Sequence, residues 1–180
     1  MKKVLVAALL VMTLSTLSYA QRTLINKGDQ YVGAKLALGS IGGASMGFIG
    51  NYEMGFQENI GIGATIAYSG YSEEVASFYK YKYDYSNILI LATGTYHMDL
   101  LKNEKLDTWG ALNVGYNIAT AKFTWVSAVP AGTPEISATA GGFVFGLSAN
   151  ARYALTEQLF ATASVGFGLG ILNIGIDYKL

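Results

Sequence analysis

Few residues in this 180-residue chain have the types and spacing to do chemistry. His97 is the sole histidine and no cysteine is present, so thiolate chemistry, disulfides and cysteine metal sites are excluded. A histidine could serve as base for a serine nucleophile in a lipid hydrolase, but only with a serine within hydrogen-bond reach and an acid to orient the ring. No spacing in the sequence identifies either partner. The plainer expectation is an interfacial histidine beside Tyr96. Glu73, Glu74 and Asp84, with Lys80 and Lys82, fit a solvated connector better than a paired-carboxylate site. The run Tyr79-Lys80-Tyr81-Lys82-Tyr83 alternates aromatic and basic residues, and such a ribbon could bind a protein or glycan through its tyrosine faces. No catalytic residue, cofactor or metal is expected.

The elements that would carry these residues begin after an export signal. Lys2 and Lys3 precede an uncharged apolar run from Val4 to Leu17, then Ser18-Tyr19-Ala20 ahead of Gln21-Arg22. That reads as a signal peptide cleaved after Ala20, the apolar run being shorter than the roughly 20 residues of a membrane span. Without Lys2 and Lys3, ten basic residues face twelve acidic ones, which excludes a nucleic-acid footprint. Only 13% of residues are charged while 52% are hydrophobic, so something other than water must cover part of the surface.

From residue 31 the chain reads as eight strands of about the bilayer-crossing length: 31–40, 44–55, 60–69, 83–98, 107–119, 142–153, 159–168 and 171–180. One parity collects Val32, Leu36, Phe48, Ile62, Ile66, Leu112, Phe143, Phe145, Ile174 and Ile176 without a charge. The other carries Lys35, Glu53, Asn113, Ser148, Asn150, Arg152, Thr162, Ser164, Asn173, Asp177 and Lys179 among many glycines and alanines. A soluble barrel would exchange the faces, but a water-facing surface carries more charge than this second set. Small and sparsely charged residues suit a narrow lumen, which leaves the apolar face to lipid. The fold expected is an all-β, eight-stranded antiparallel up-and-down transmembrane barrel. It spans 31–180, after a signal peptide at 1–20 and a short periplasmic lead at 21–30.

Tyr52, Tyr96, Tyr153 and Tyr178 fall near one end of the strands and Tyr68 and Tyr116 near the other, as two interfacial girdles require. Long connectors at 70–82 and 120–141 face outward if the N-terminus is periplasmic. In the lumen, Lys35, Glu53, Arg152, Asp177 and Lys179 form an expected mixed-sign cluster, with Asp177 near Lys35 and Glu53 level with Arg152. Strand four is ambiguous, because Leu89 and Leu91 make both faces apolar; a bulge near Ser86-Asn87 would reconcile them.

The terminal segment Asn173-Ile-Gly175-Ile-Asp-Tyr178-Lys-Leu180 resembles the β-signal of outer-membrane barrels, with Leu180 where phenylalanine is commoner. With the signal peptide and eight strands, the mature chain resembles the small outer-membrane barrels of OmpA and OmpX type, without the periplasmic peptidoglycan-binding domain of full OmpA-type proteins. The resemblance implies the outer membrane of a diderm bacterium, handling by the barrel assembly machinery, and contact with outer-membrane lipid. A non-enzymatic surface-display or envelope role with a filled lumen is the leading expectation. A narrow porin and a lipid-modifying enzyme are the alternatives.

Overall fold

The computed structural model describes residues 24–76, 80–126 and 136–180. The proposed signal peptide and Tyr79 lie outside these residues. Eight antiparallel strands close into a barrel in sequence order: β1 (Gln30–Ile41), β2 (Ala44–Gln57), β3 (Ile60–Ala76), β4 (Lys80–His97), β5 (Leu106–Trp125), β6 (Ile136–Ala154), β7 (Leu159–Phe167) and β8 (Leu172–Lys179). β1 pairs with β8 from Tyr31↔Lys179 to Leu38↔Leu172, so no strand edge is left around the membrane-height ring at this seam.

Alternation sets the two faces. Phe48, Ile66, Ile90, Tyr116, Phe143, Phe145, Ile174 and Ile176 all point outward and are exposed, Phe143 to 71%. A soluble domain does not leave such a belt bare, and a closed barrel satisfies every ladder hydrogen bond within lipid. The chain is a transmembrane barrel on these grounds.

Strand lengths depart from expectation in one systematic way. β3 to β6 have 17, 18, 20 and 19 residues, whereas β7 and β8 have nine and eight. Much of what was read as long connectors at 70–82 and 120–141 is therefore strand. Gly70 to Ala76 pair with Ser86 to Lys80, and Thr120 to Phe123 pair with Thr139 to Ile136. Twenty residues at about 3.3 Å each, tilted by about 40°, rise roughly 50 Å, about twice the roughly 25 Å apolar band. One wall thus stands as a four-stranded ribbon above the low wall of β7, β8, β1 and β2.

The bulge expected near Ser86-Asn87 is absent: β4 pairs without a register shift from Lys80 to Tyr96 against β3, and from Tyr81 to His97 against β5. Leu89 and Leu91 are instead lumen residues. With Ala37, Ile41, Ile49 and Ala67 they form a buried apolar layer across the interior, onto which Val144 and Leu169 pack. The ambiguity of strand four is thereby resolved: Leu89 and Leu91 face inward and add an apolar layer to the small-residue, sparsely charged lumen expected.

Candidate functional site

Below the apolar layer the lumen is polar, and at its far end it is charged. Inward parity on β2, β4, β5 and β6 delivers Glu53, His97, Asp107 and Arg152, and the registers His97↔Trp109 and Asp107↔Arg152 set them at one depth. Arg152 is 1% exposed. Its guanidinium lies 3.1 Å from Glu53 Oε2 through Nη1 and 2.7 Å from Asp107 Oδ2 through Nη2. His97, fully buried, has Nδ1 2.8 Å from Asp107 Oδ1 and Nε2 2.9 Å from Glu53 Oε1. Arg152, His97 and two carboxylates form a closed ring in which each carboxylate bridges the same pair.

Aromatic rings enclose this ring of charges. The Arg152 guanidinium carbon sits 3.6 Å from the centre of the Tyr31 ring, and Trp109 stacks on His97 at 5.2 Å and 16°. Tyr31 meets Phe160 edge-on at 5.8 Å. A cation over an aromatic face gains about 2 kcal/mol or more when desolvated. Thr95 donates its hydroxyl to Glu53.

Of the five lumen charges expected from sequence, the structure brings Glu53 and Arg152 together as one group and Lys35 and Asp177 as another. Lys35 Nζ is 3.8 Å from Asp177 Oδ1. Lys179 lies at the rim, 2.8 Å from Asp29. Asp107 and His97 were missed. The signal for Asp107 was its shared parity with Asn113 and Asn117, whereas His97 was obscured by the unclear faces of strand four. His97 is not interfacial: Tyr96 faces outward and His97 faces into the lumen.

Between the charged ring and the apolar layer lies a cavity of about 60 Å³, bordered by Lys35, Asn51, Thr65, Thr93, Asn113 and Asn173 among others. Asn51 Oδ1 and Asn173 Oδ1 are buried there without a protein partner. A polar void of this size has room for a few water molecules able to satisfy such atoms.

The lead into the barrel closes the same end. Ile25 is fully buried, Gly28 N–H donates to Gly55 O at 2.9 Å, and Asn59 N–H donates to Ile25 O at 3.0 Å. At the rim, burial pushes the Asp29 carboxyl up, but hydrogen bonds from Lys179 and the Asn26 N–H outweigh it and hold Asp29 below its ordinary value.

The remaining sequence-marked residues distribute as follows. Tyr52, Tyr96, Tyr153 and Tyr178 point outward toward the lead's end of the barrel, and Tyr68 and Tyr116 point outward at the opposite end. Tyr52 and Tyr178 donate their hydroxyls to Gln30 and Gln158. On β8, Asn173 and Gly175 face inward while Tyr178 faces outward; Leu180, just past the strand, is exposed and its N–H donates to Gln30 O. Tyr81 and Tyr83 share the inward parity of Leu89; with Tyr71, Tyr85, Phe123 and Trp125 they make a continuous aromatic face on the ribbon. Lys82 takes the opposite face, paired with Asp84 at 2.8 Å.

No protein-family model and no curated protein matches the chain. Solved structures do. Ail, the attachment invasion locus protein of Yersinia pestis, in complex with the heparin analogue sucrose octasulfate, matches at 15% identity and a TM-score of 0.53, over 87% of this chain and 100% of that one. The N-terminal β-barrel domain of Pseudomonas aeruginosa OprF matches at 11% identity and a TM-score of 0.53, over 86% and 98%. The chain has the fold of the small eight-stranded transmembrane barrels of OmpA and OmpX type.

Proposed function

We propose that this chain is a non-enzymatic barrel of the outer membrane, with a lumen that does not conduct and a stranded ribbon displayed at the cell surface. The unequal height of the wall carries the reading: β3 to β6 continue far beyond what lipid requires, and β7 and β8 do not. Strand raised out of the membrane at the expense of ordering some thirty residues is useful only if something outside is met. The closed lead, the charged ring and the apolar layer stand in series across the lumen, which favours display over a narrow porin.

A lipid-modifying role finds no support in His97, since both its ring nitrogens face carboxylates inside a sealed interior. With the N-terminus periplasmic, the ribbon stands on the extracellular side and Asn173, Gly175, Tyr178 and Leu180 form the strand end offered to the assembly machinery. Partners at the surface are proteins or glycans. The Ail structure, of the same fold, holds a sulfated sugar analogue; here Tyr81 and Tyr83 supply ring faces, and Lys80 and Lys82 the cations, on opposite sides of one strand.

Conductance in planar bilayers tests the reading. Purified folded protein should give no stable single-channel current between pH 5 and 8. Large, stable currents would make it a porin.

A further inference from the structure

The two faces of the raised ribbon differ in charge. Cross-strand partners share a face, so the registers place Tyr71, Tyr81, Tyr83, Tyr85, Phe123 and Trp125 on the inner face, over the barrel mouth, together with Glu73 and Val75. Lys80, Lys82 and Lys122 lie on the outer face with Glu74 and Asp84. Among the described residues of the ribbon, Glu73 is the sole charge on the inner face. The low wall opposite ends in Gly42-Gly43 and in Gly168-Leu169-Gly170-Ile171, which are uncharged. Ring packing explains why aromatic residues stand side by side. It does not explain why the lysines are kept off their face.

One row crosses all the ribbon strands: Glu73 beside Tyr83, Tyr83 beside Phe123, and Phe123 beside Ile136. The rings around it do not lie flat as a platform. Tyr81 stands at 88° to Tyr83 with ring centroids 5.7 Å apart, and Phe123 at 87° to Trp125 with centroids 4.8 Å apart. Rings at right angles offer faces in two directions, which suits a cation, whereas a sugar ring stacks on one flat face. A ring face is the negative side of the aromatic quadrupole, and the Glu73 carboxylate adds to that potential. Beside the rings, Ala119, Ala121, Ala138 and Ala140 make a low shelf on β5 and β6 where a backbone can lie.

We propose that the inner face of the ribbon binds a basic segment of an extracellular protein, with an arginine or lysine cation seated against Tyr81, Tyr83 and Phe123 and paired with Glu73. The inference rests on the display reading above and names the partner's chemistry. Charge complementarity argues the occupant: ring faces and a carboxylate, with no cation among them, attract a cation and repel a polyanion. Arginine suits the row best, because its planar guanidinium stacks on a ring while its N–H groups bond a carboxylate.

The test uses the full protein folded in nanodiscs of zwitterionic lipid and, as probe, a fluorescent nonapeptide of alternating Arg and Gly, read by anisotropy against empty nanodiscs. Binding should be saturable and should disappear when every arginine is replaced by citrulline, which keeps the shape and removes the charge. Glu73→Gln and Glu74→Gln change the net charge equally on opposite faces. The first should weaken binding by about fivefold or more and the second by less than about twofold. Tyr81→Leu with Tyr83→Leu should weaken it by about tenfold or more, while Tyr81→Phe with Tyr83→Phe, which keeps both rings, should stay within about threefold. Heat-modifiable migration shows that each variant has a folded barrel, and protection of amides 81–85 shows that its ribbon is intact. Where the leucine pair loses the ribbon, the comparison of Glu73→Gln with Glu74→Gln decides. No saturable binding, equal binding of the citrulline peptide, or equal losses from the two glutamine variants would overturn the proposal. So would a neutral oligosaccharide that binds with the same variant pattern in place of the peptide, since the face would then be a sugar platform. Nanodisc binding does not depend on which side of a cell membrane the ribbon occupies, so its failure is separable from a failure of the display reading.

Discussion

Substituting Arg152 by methionine removes a charge from the most enclosed group of ions in the barrel while keeping most of the side-chain volume. In the native protein Glu53 and Asp107 are each bridged by both Arg152 and His97, and Arg152 is 1% exposed. After the change two carboxylates share one histidine in an interior with little water. Removing one partner of a buried pair costs about 3–5 kcal/mol, chiefly because a charge is left uncompensated. The contact of the guanidinium with the Tyr31 ring is lost as well and falls within the same figure. If uncompensated charge is the cause, a second change that neutralises it restores stability. Arg152→Met with Asp107→Asn leaves Glu53 facing His97 and should regain about half of the loss or more. Urea unfolding in lipid vesicles, followed by gel mobility without boiling, measures both. A single-variant loss below about 1 kcal/mol, or a double variant no better than the single, would refute the idea that charge balance organises this end of the lumen.

Other expectations follow from individual contacts. Gly33→Val should destabilise by about 1–3 kcal/mol or more, because a Cβ there would lie 1.9 Å from Asp177 Oδ1 and 2.6 Å from Asn51 Oδ1, whereas Gly142→Ala should fall within about 0.5 kcal/mol of the parent in the same unfolding assay. Acid should release the lead: Asp29 has a folded-state value below its ordinary one, so its contribution is complete above the ordinary aspartate value of about 3.9 and is lost as pH falls through the lower folded value. Protection of the Gly28 and Asn59 amides, measured relative to intrinsic exchange at each pH, should then fall below about pH 4, and Asp29→Asn should remove that pH dependence. Leu89→Asp or Leu91→Asp, placing a carboxylate in the apolar layer, should prevent folding or cost about 3 kcal/mol or more, read by loss of the heat-modifiable band.

The ring of strands was legible because alternation is a property of the backbone and lipid punishes any charge on one parity. Val32, Phe48, Ile66, Tyr116 and Phe143 declare the outside, and Glu53, Arg152 and Asp177 the inside, wherever the chain is at membrane height. Above the membrane that logic reverses. Water covers both faces of the ribbon, so Ser72, Asp84 and Lys122 on one face and Tyr71, Tyr85 and Phe123 on the other read as loop composition although they are paired strand. The same reversal hid Leu89 and Leu91: an apolar residue facing the lumen is indistinguishable in sequence from one facing lipid. Lys35 and Asp177 could be matched because β1 and β8 must meet to close the barrel. The group of His97, Asp107 and Arg152 needed the β4–β5 and β5–β6 registers, which no local pattern fixes.

Cell fractionation combined with a heat-modifiability gel tests the central claim most directly. An outer-membrane barrel should sediment with the outer membrane, and its unboiled form should migrate at a different position from the boiled one, the shift disappearing in the Leu89→Asp variant. A soluble periplasmic protein whose migration does not change on boiling would contradict both the location and the transmembrane barrel.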